Sequence, residues 1–235
     1  EGSGDVYGWD IWHCYELSWL VDKAMVTWVG GLDIPASSSL TIESKSLKLY
    51  LNSLNNHSFQ SNREATDTIE RDLMGAIGMP VSMAIFSPNE LWSITKQVTA
   101  TNLPEYRRNG QVGSKNKREI KISEGQEKKV GEQLISHDLR SLCPVTGQPD
   151  WATLWISYTG AALDHNSVAG YLDGYAFYRT FHEAFVDQIF ADLNQASSPE
   201  YLQVVAFFQR RGGIDITPWR CSEPIESNPL RLDRQ

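Results

Sequence analysis

Apolar side chains at Val168, Tyr171, Tyr175, Tyr178, Phe185 and Ile189 recur three and four positions apart, the period of an amphipathic helix with one buried stripe. His182 falls on that stripe. The alternation in Thr153-Leu154-Trp155-Ile156-Ser157-Tyr158 and the β-branched run around Val204 predict strands on either side of the helix. Nearer the N-terminus, strand-like Leu40 and Ile42 give way to the helical period of Leu47, Leu51 and Leu54. A helix is therefore expected to start there, with Ser44 or Ser46 as its natural cap.

The order of elements repeats. Tyr50-Leu51-Asn52-Ser53, Phe59, Ile69-Glu70-Arg71-Asp72-Leu73 and the strand-like Val81–Phe86 are matched by Tyr171-Leu172-Asp173-Gly174, Phe181, Ile189–Leu193 and Leu202–Phe208. Each copy reads as an antiparallel sheet with helices laid on it, an α+β plan. Between them, residues 106–130 are charged and poor in large apolar side chains, so the chain is expected to divide into modules over 1–105 and 131–235 joined by a linker. Both modules are needed, because the candidate functional residues are shared between them.

Composition narrows the function. A formal net charge of −8 argues against gripping a polyanion along an extended surface, and the basic stretch from Arg107 to Lys129 reads as a solvated linker rather than a nucleic-acid contact. No apolar run is long enough to cross a bilayer, so a soluble protein is expected. No targeting signal is visible at Glu1-Gly2-Ser3-Gly4, where the natural N-terminus is expected to be missing. Cys14, Cys143 and Cys221 are too few for a disulfide framework, which fits a reducing cytoplasm. Gly2, Gly4 and Gly8 lack the spacing and context of a dinucleotide fingerprint.

Four clusters could carry chemistry. Cys143 lies in a loop stiffened by Pro144, Gly147 and Pro149, with Asp150 at the other end. A lone cysteine is commonly a small buried hydrophobe, but a carboxyl beside the thiol can move the protons that thiol addition requires. His182 and Glu183 either pack in the core or line two walls of a pocket, where the carboxylate could accept paired hydrogen bonds from a guanine-like ring edge. No second ligand stands at metal-binding spacing from His182. Ile42-Glu43-Ser44-Lys45 opens the first helix, either as a plain cap with solvent-facing lysines or as an anion site built on free backbone donors. Arg210-Arg211-Gly212-Gly213 follows a predicted strand and would suit a phosphate.

Together with Asp10-Ile11-Trp12, Tyr15–Leu20, Lys48–Ser53 and the Cys143–Trp151 loop, these motifs resemble the two-module form of the QueF family, the NADPH-dependent 7-cyano-7-deazaguanine reductases. The resemblance implies tandem tunnelling-fold (T-fold) modules that assemble as a homodimer. It also implies NADPH-dependent reduction of a small-molecule nitrile to 7-aminomethyl-7-deazaguanine on the route to queuosine, with no direct nucleic-acid or membrane partner and no metal. It assigns Cys143 as the nucleophile that forms a covalent thioimide, Asp150 as the proton donor and His182 as its helper. Ile42, Glu43, Ser44, His182 and Glu183 would bind the substrate, and Ser44, Lys45, Arg211 and Gly212 the cofactor. Other members carry a Ser-Phe-Arg-x-His type run before Phe181, and Gly174–Thr180 departs from it. The rival readings are a thioimide-forming relative that ends in an amidine, a binding-only protein of the same fold, and a zinc-dependent pterin or purine enzyme.

Overall fold

The protein is described by a computed structural model over residues 6–104, 119–124, 129–226 and 231–235. A long hairpin of β1 (Tyr7–Val21) and β2 (Ala24–Pro35) leads to α1 (Ser44–Ser53), β3 (Ser58–Phe59), α2 (Asn62–Ile77) and β4 (Ser82–Phe86). A 3-10 segment over Pro88–Ile94 precedes the short β5 (Thr95–Lys96) and β6 (Thr101–Asn102). The second half repeats the plan with β7 (Lys129–Leu142), β8 (Pro149–Ala161), α3 (His165–Asp173), α4 (His182–Ser197), β9 (Tyr201–Phe208) and β10 (Ile214–Cys221), followed by β11 (Arg231–Leu232). Of the expected linker, 106–118 and 125–128 lie outside the described residues, as does most of the basic stretch. Within it Ile120 is buried, and Lys129 and Val130 already belong to β7.

One sheet runs through both halves in the order β4-β2-β1-β10-β9-β8-β7-β6, with β3 beside β1; β5 and β11 form a separate parallel pair. The halves meet where β1 and β10 pair antiparallel from Tyr7↔Cys221 to Cys14↔Ile214. Because side chains alternate along a strand, β10 sends Ile214 and Ile216 into the core under α1 and α2 with Trp12, Leu32, Leu47 and Ile69. A second cluster joins Val168, Phe185, Val186 and Ile189 of α3 and α4 to Leu154, Ile156, Val204 and Ala206 of β8 and β9. The opposite face of the sheet carries Ile11, Val205, Phe207 and Trp219 under Leu232. This is the expected α+β architecture with the helices on one face.

Three local expectations are corrected. Leu40 and Ile42 are not strand: β2 ends at Pro35, and 36–43 is an irregular segment leading to α1. The cap of α1 is neither serine but Glu43, whose carboxylate accepts from the Lys45 and Ser46 amides at 2.9 and 2.7 Å. The single stripe from Val168 to Ile189 is two helices. Gly174 closes α3, and 178–180 run beside the end of β7, where the Leu142 amide donates to the Tyr178 carbonyl (2.9 Å) and the Thr180 amide donates to the Leu142 carbonyl (3.2 Å). Those sheet-edge bonds outweigh continuation of the helical period, and they start a new helix at His182.

At the β1–β10 seam the guanidinium of Arg220, about 1% exposed, donates to Asp10 of β1 at 2.7 Å and to Asp187 of α4 at 2.5 Å. Burial pushes the Asp10 carboxyl up to about 6 against the pull of Arg220, while the two carboxylates more than offset the burial that disfavours the Arg220 cation. These two tendencies disagree on how fully Asp10 is ionised. The contacts favour the ion pair, since the guanidinium keeps its charge and sits at hydrogen-bond distance. Removing one member of such a pair strands the other in a dry site. Arg220→Met is therefore expected to lower the unfolding free energy by about 3–5 kcal/mol in urea denaturation, well beyond the effect of the same change at an exposed arginine such as Arg63.

Candidate active site

The loop bearing Cys143 is a tight connection between β7 and β8. Strand pairing extends to Leu142↔Pro149 and Ser141↔Asp150, so Asp150 and Trp151 belong to β8 rather than to the loop. Within the turn the Cys143 amide donates to the Gln148 carbonyl and the Gly147 amide donates back to the Cys143 carbonyl, both at 2.9 Å. Gly147 takes φ 71°, and a Cβ there would come within 2.9 Å of the Arg179 guanidinium. The turn thus requires glycine and holds Cys143 at the hairpin tip, half-buried.

The hairpin conditions both reactive groups. Partial burial and the charge of Asp150 work against the Cys143 thiolate, but hydrogen bonds from the Thr146 hydroxyl and the Thr146 and Val145 amides outweigh them and lower the thiol below its usual range. Asp150 is buried. Burial alone would raise its carboxyl, yet His182 (Nε2 to Oδ2, 3.3 Å) and the guanidinium of Arg211 hold it below the ordinary carboxylate range, so it is ionised near neutrality. Arg211 reaches across from the β9–β10 turn and also donates to the Gln148 side chain.

His182 is the first residue of α4, and its ring stacks on Phe208 of β9 with centroids 3.9 Å apart. Glu183 is buried one residue further on, where it accepts from the Thr41 hydroxyl at 2.7 Å. Thr41, which belongs to none of the motifs legible in the sequence, brings the segment before α1 onto α4. The bond joins two segments 142 residues apart in sequence. The only sequence signal of Thr41 is its place two residues before the Glu43 cap.

On α1, Ser44, Lys45 and Ser46 are exposed. The free amides expected at this helix start are partly used by the Glu43 carboxylate. Burial opposes its ionisation, but the hydrogen bonds from Lys45 and Ser46 together with the Lys45 charge outweigh it and lower the carboxyl. One turn along, Lys48 donates to the Gly212 carbonyl and pairs with Glu16 at 3.1 Å, tying α1 to the β9–β10 turn. Gly212 and Gly213 both have positive φ, 61° and 83°. Lysines, an arginine pair and an exposed glycine turn make a ledge that fits an anionic dinucleotide. In the departing segment, the Ala176 carbonyl accepts from Arg140 of β7 at 3.1 Å, and that guanidinium lies over Trp151 and Phe177.

The site thus brings a hydrogen-bonded thiol and a buried, doubly paired carboxylate to one hairpin of an α+β sheet. Residues 2–85 match the family model for the N-terminal part of nitrile reductase, 7-cyano-7-deazaguanine reductase, and residues 149–227 match that for QueF-like proteins. The chain is 41% identical over 235 residues to the NADPH-dependent 7-cyano-7-deazaguanine reductase of Acinetobacter baylyi, covering 99% of this chain and 86% of that protein. It is 40% identical over 237 residues to the enzyme of the same name from Acinetobacter baumannii, with the same coverage. The chain belongs to this family of 7-cyano-7-deazaguanine reductases.

Because the Thr146 hydroxyl gives the strongest of the bonds that favour the Cys143 thiolate, Thr146→Ala, which removes that bond and keeps the backbone amide, is expected to raise the thiol pKa. The pH profile of Cys143 alkylation by iodoacetamide should move to higher pH, with slower labelling near neutrality and unchanged labelling in unfolding conditions.

Proposed function

We propose that this chain reduces the nitrile of 7-cyano-7-deazaguanine to the primary amine of 7-aminomethyl-7-deazaguanine with NADPH, in queuosine biosynthesis. The observation that carries the reading is the facing pair of Cys143, with its lowered thiol, and ionised Asp150. Asp150 takes the thiol proton as the Cys143 sulfur adds to the nitrile carbon. One carbon–nitrogen π bond breaks, the carbon–sulfur bond forms, and the same proton passes from Asp150 to the nitrogen. The product is a thioimide, a carbon that accepts hydride far more readily than the nitrile does.

Conversion to the amine takes up two hydrides and two protons in all and releases the Cys143 sulfur. NADPH supplies hydride when bound, and the chain supplies position and protons. His182, stacked on Phe208, orients Asp150 and relays its proton. Glu183 and Glu43, with the Ile42–Ser44 backbone, bind the polar edges of the deazaguanine, and Thr41 fixes the Glu183 carboxylate. Ser44, Lys45, Arg211 and Gly212 hold NADPH. The same reading divides the chain into modules over 1–105 and 131–235, makes it a homodimer and places it in the cytoplasm. Among the described residues, no helix is long and apolar enough to cross a membrane.

NADPH oxidation with 7-cyano-7-deazaguanine tests this reading. Cys143→Ala should abolish nitrile-dependent oxidation, and Asp150→Asn should slow it by about 10²–10⁴-fold while leaving NADPH binding intact. Adduct formation without NADPH oxidation would overturn the reductase in favour of an amidine-forming relative, and ligand binding with neither would leave a binding-only protein.

A further inference from the structure

The sheet opens in one place beside the site. β9 stays paired with β8 as far as Phe208, and β10 stays paired with β1 from Ile214 onward. Between β9 and β10 themselves, pairing runs only from Gln203↔Cys221 to Val205↔Trp219. Beyond Val205 each strand follows its other neighbour, and the turn that joins them carries Arg211 to Asp150. Phe208, on the β9 side of this split, stacks on the His182 ring. The next residue, Gln209, donates its amide to the carbonyl of Trp151, the neighbour of Asp150, at 2.9 Å. The partners that β9 and its turn bring to Asp150 thus all lie beyond the last β9–β10 pair.

A buried side chain spans the split. The Gln235 side-chain nitrogen donates to the Phe208 carbonyl of β9 at 3.3 Å and to the Thr217 hydroxyl of β10 at 2.9 Å. Its side-chain oxygen accepts from the Leu232 amide at 2.9 Å, so both ends of the group are used. Gln235 is itself held firmly. Its backbone amide donates to the Leu232 carbonyl and its carbonyl accepts from buried Arg231, both at 3.1 Å. Arg231 also bonds Thr95 and the Tyr15 hydroxyl of β1, at 2.9 and 3.0 Å, while β11 pairs with β5. Arg234 donates to the His137 carbonyl of β7 at 2.7 Å. A primary amide suits such a place, because it offers two donors and an acceptor and has no charge to desolvate.

We propose that Gln235 is a positioning residue for the addition of Cys143 to the nitrile. By tying Phe208 to Thr217 across the split, it fixes the ring on which His182 stacks and the root of the turn from which Arg211 reaches Asp150. This rests on the reading of Cys143 and Asp150 as nucleophile and proton carrier. Gln235 touches neither of them and acts through Phe208. Asp150 is faced by His182 from α4, by Arg211 from the β9–β10 turn and by the Cys143 thiol from its own hairpin. The bonds from His182 and Arg211 hold its carboxyl down, so loosening them lets it titrate at higher pH.

The experiment follows covalent adduct formation between the full chain and 7-cyano-7-deazaguanine by intact mass, without NADPH and across pH, with urea unfolding of each variant alongside. Gln235→Met keeps the length of the side chain and loses the amide. Its adduct rate near neutrality should fall by about 3- to 10-fold, the scale of one or two neutral hydrogen bonds. The acidic limb of the profile, where Asp150 takes up a proton, should move to higher pH. Thr217→Val removes one of the two anchors and should move the limb the same way by less, whereas Thr217→Ser, which keeps the hydroxyl, should match the native chain. The Gln235→Met/Thr217→Val double variant should be little slower than Gln235→Met alone, as expected of residues that share one bond. If Gln235→Met does not fold, Thr217→Val against Thr217→Ser carries the comparison. Lowered stability with an unmoved acidic limb would overturn the proposal and leave Gln235 a part of the fold only. No adduct in the native chain would overturn it together with the reading of Cys143 and Asp150 on which it rests.

Discussion

The pairing of β1 with β10 is the constraint on which the rest of the molecule depends. It joins the first strand of the chain to one of its last, so the sheet passes unbroken through two halves that each repeat a similar order of strands and helices. Buried polar contacts pin it on both faces. Arg220 holds Asp10 and Asp187 on the helix side, and Asp215 holds His13 and Tyr15 on the other. A one-residue slip would exchange these faces, placing Arg220 among Ile11, Val205 and Phe207 and away from Asp10 and Asp187. The ion pairs and the hydrophobic alternation therefore specify the same register.

From that register the site follows. The turn after β9 is carried to the tip of the β7–β8 hairpin, where Arg211 meets Asp150, and α1 is carried to the same turn, where Lys48 meets Gly212. The thiol is softened within its own turn by Thr146 and Val145, a local effect. The carboxylate is conditioned from elsewhere, by a histidine on α4 and an arginine on the β9–β10 turn. In the proposed reaction, an Asp150 held in its charged form is first a proton acceptor for Cys143, and only afterwards a donor to the substrate nitrogen.

Residues that act through local spacing were legible in the chain. The helix of Leu47 and Leu51, the strand around Val204, the repeat that pairs Ile69 with Ile189, and the Cys143–Asp150 hairpin all rest on contacts a few residues long or on a period set by the backbone itself. The misreadings share a different cause. Continuing the stripe through Tyr178 ignores Leu142, whose backbone captures the Tyr178–Thr180 segment from a distant strand. Choosing a serine to cap α1 follows propensity, whereas Glu43 has the longer reach and takes two amides and the Ser46 hydroxyl. Leu40 and Ile42 alternate as a strand would, but β4 already pairs along β2 at 29–33, and the segment after Pro35 instead turns toward Glu183.

By itself, the sequence determined the α+β plan, the positions of most helices and strands, and the hairpin that carries Cys143 and Asp150, because periodicity and turn chemistry are properties of neighbouring residues. Only the tertiary structure decided which partners those groups meet: Thr41 with Glu183, His182 with Phe208, Arg211 rather than Arg210 with Asp150, and Tyr15 beneath Arg210. Each of these contacts spans 26 to 195 residues of chain, and its geometry is set by sheet register and helix packing, which no short window of sequence contains.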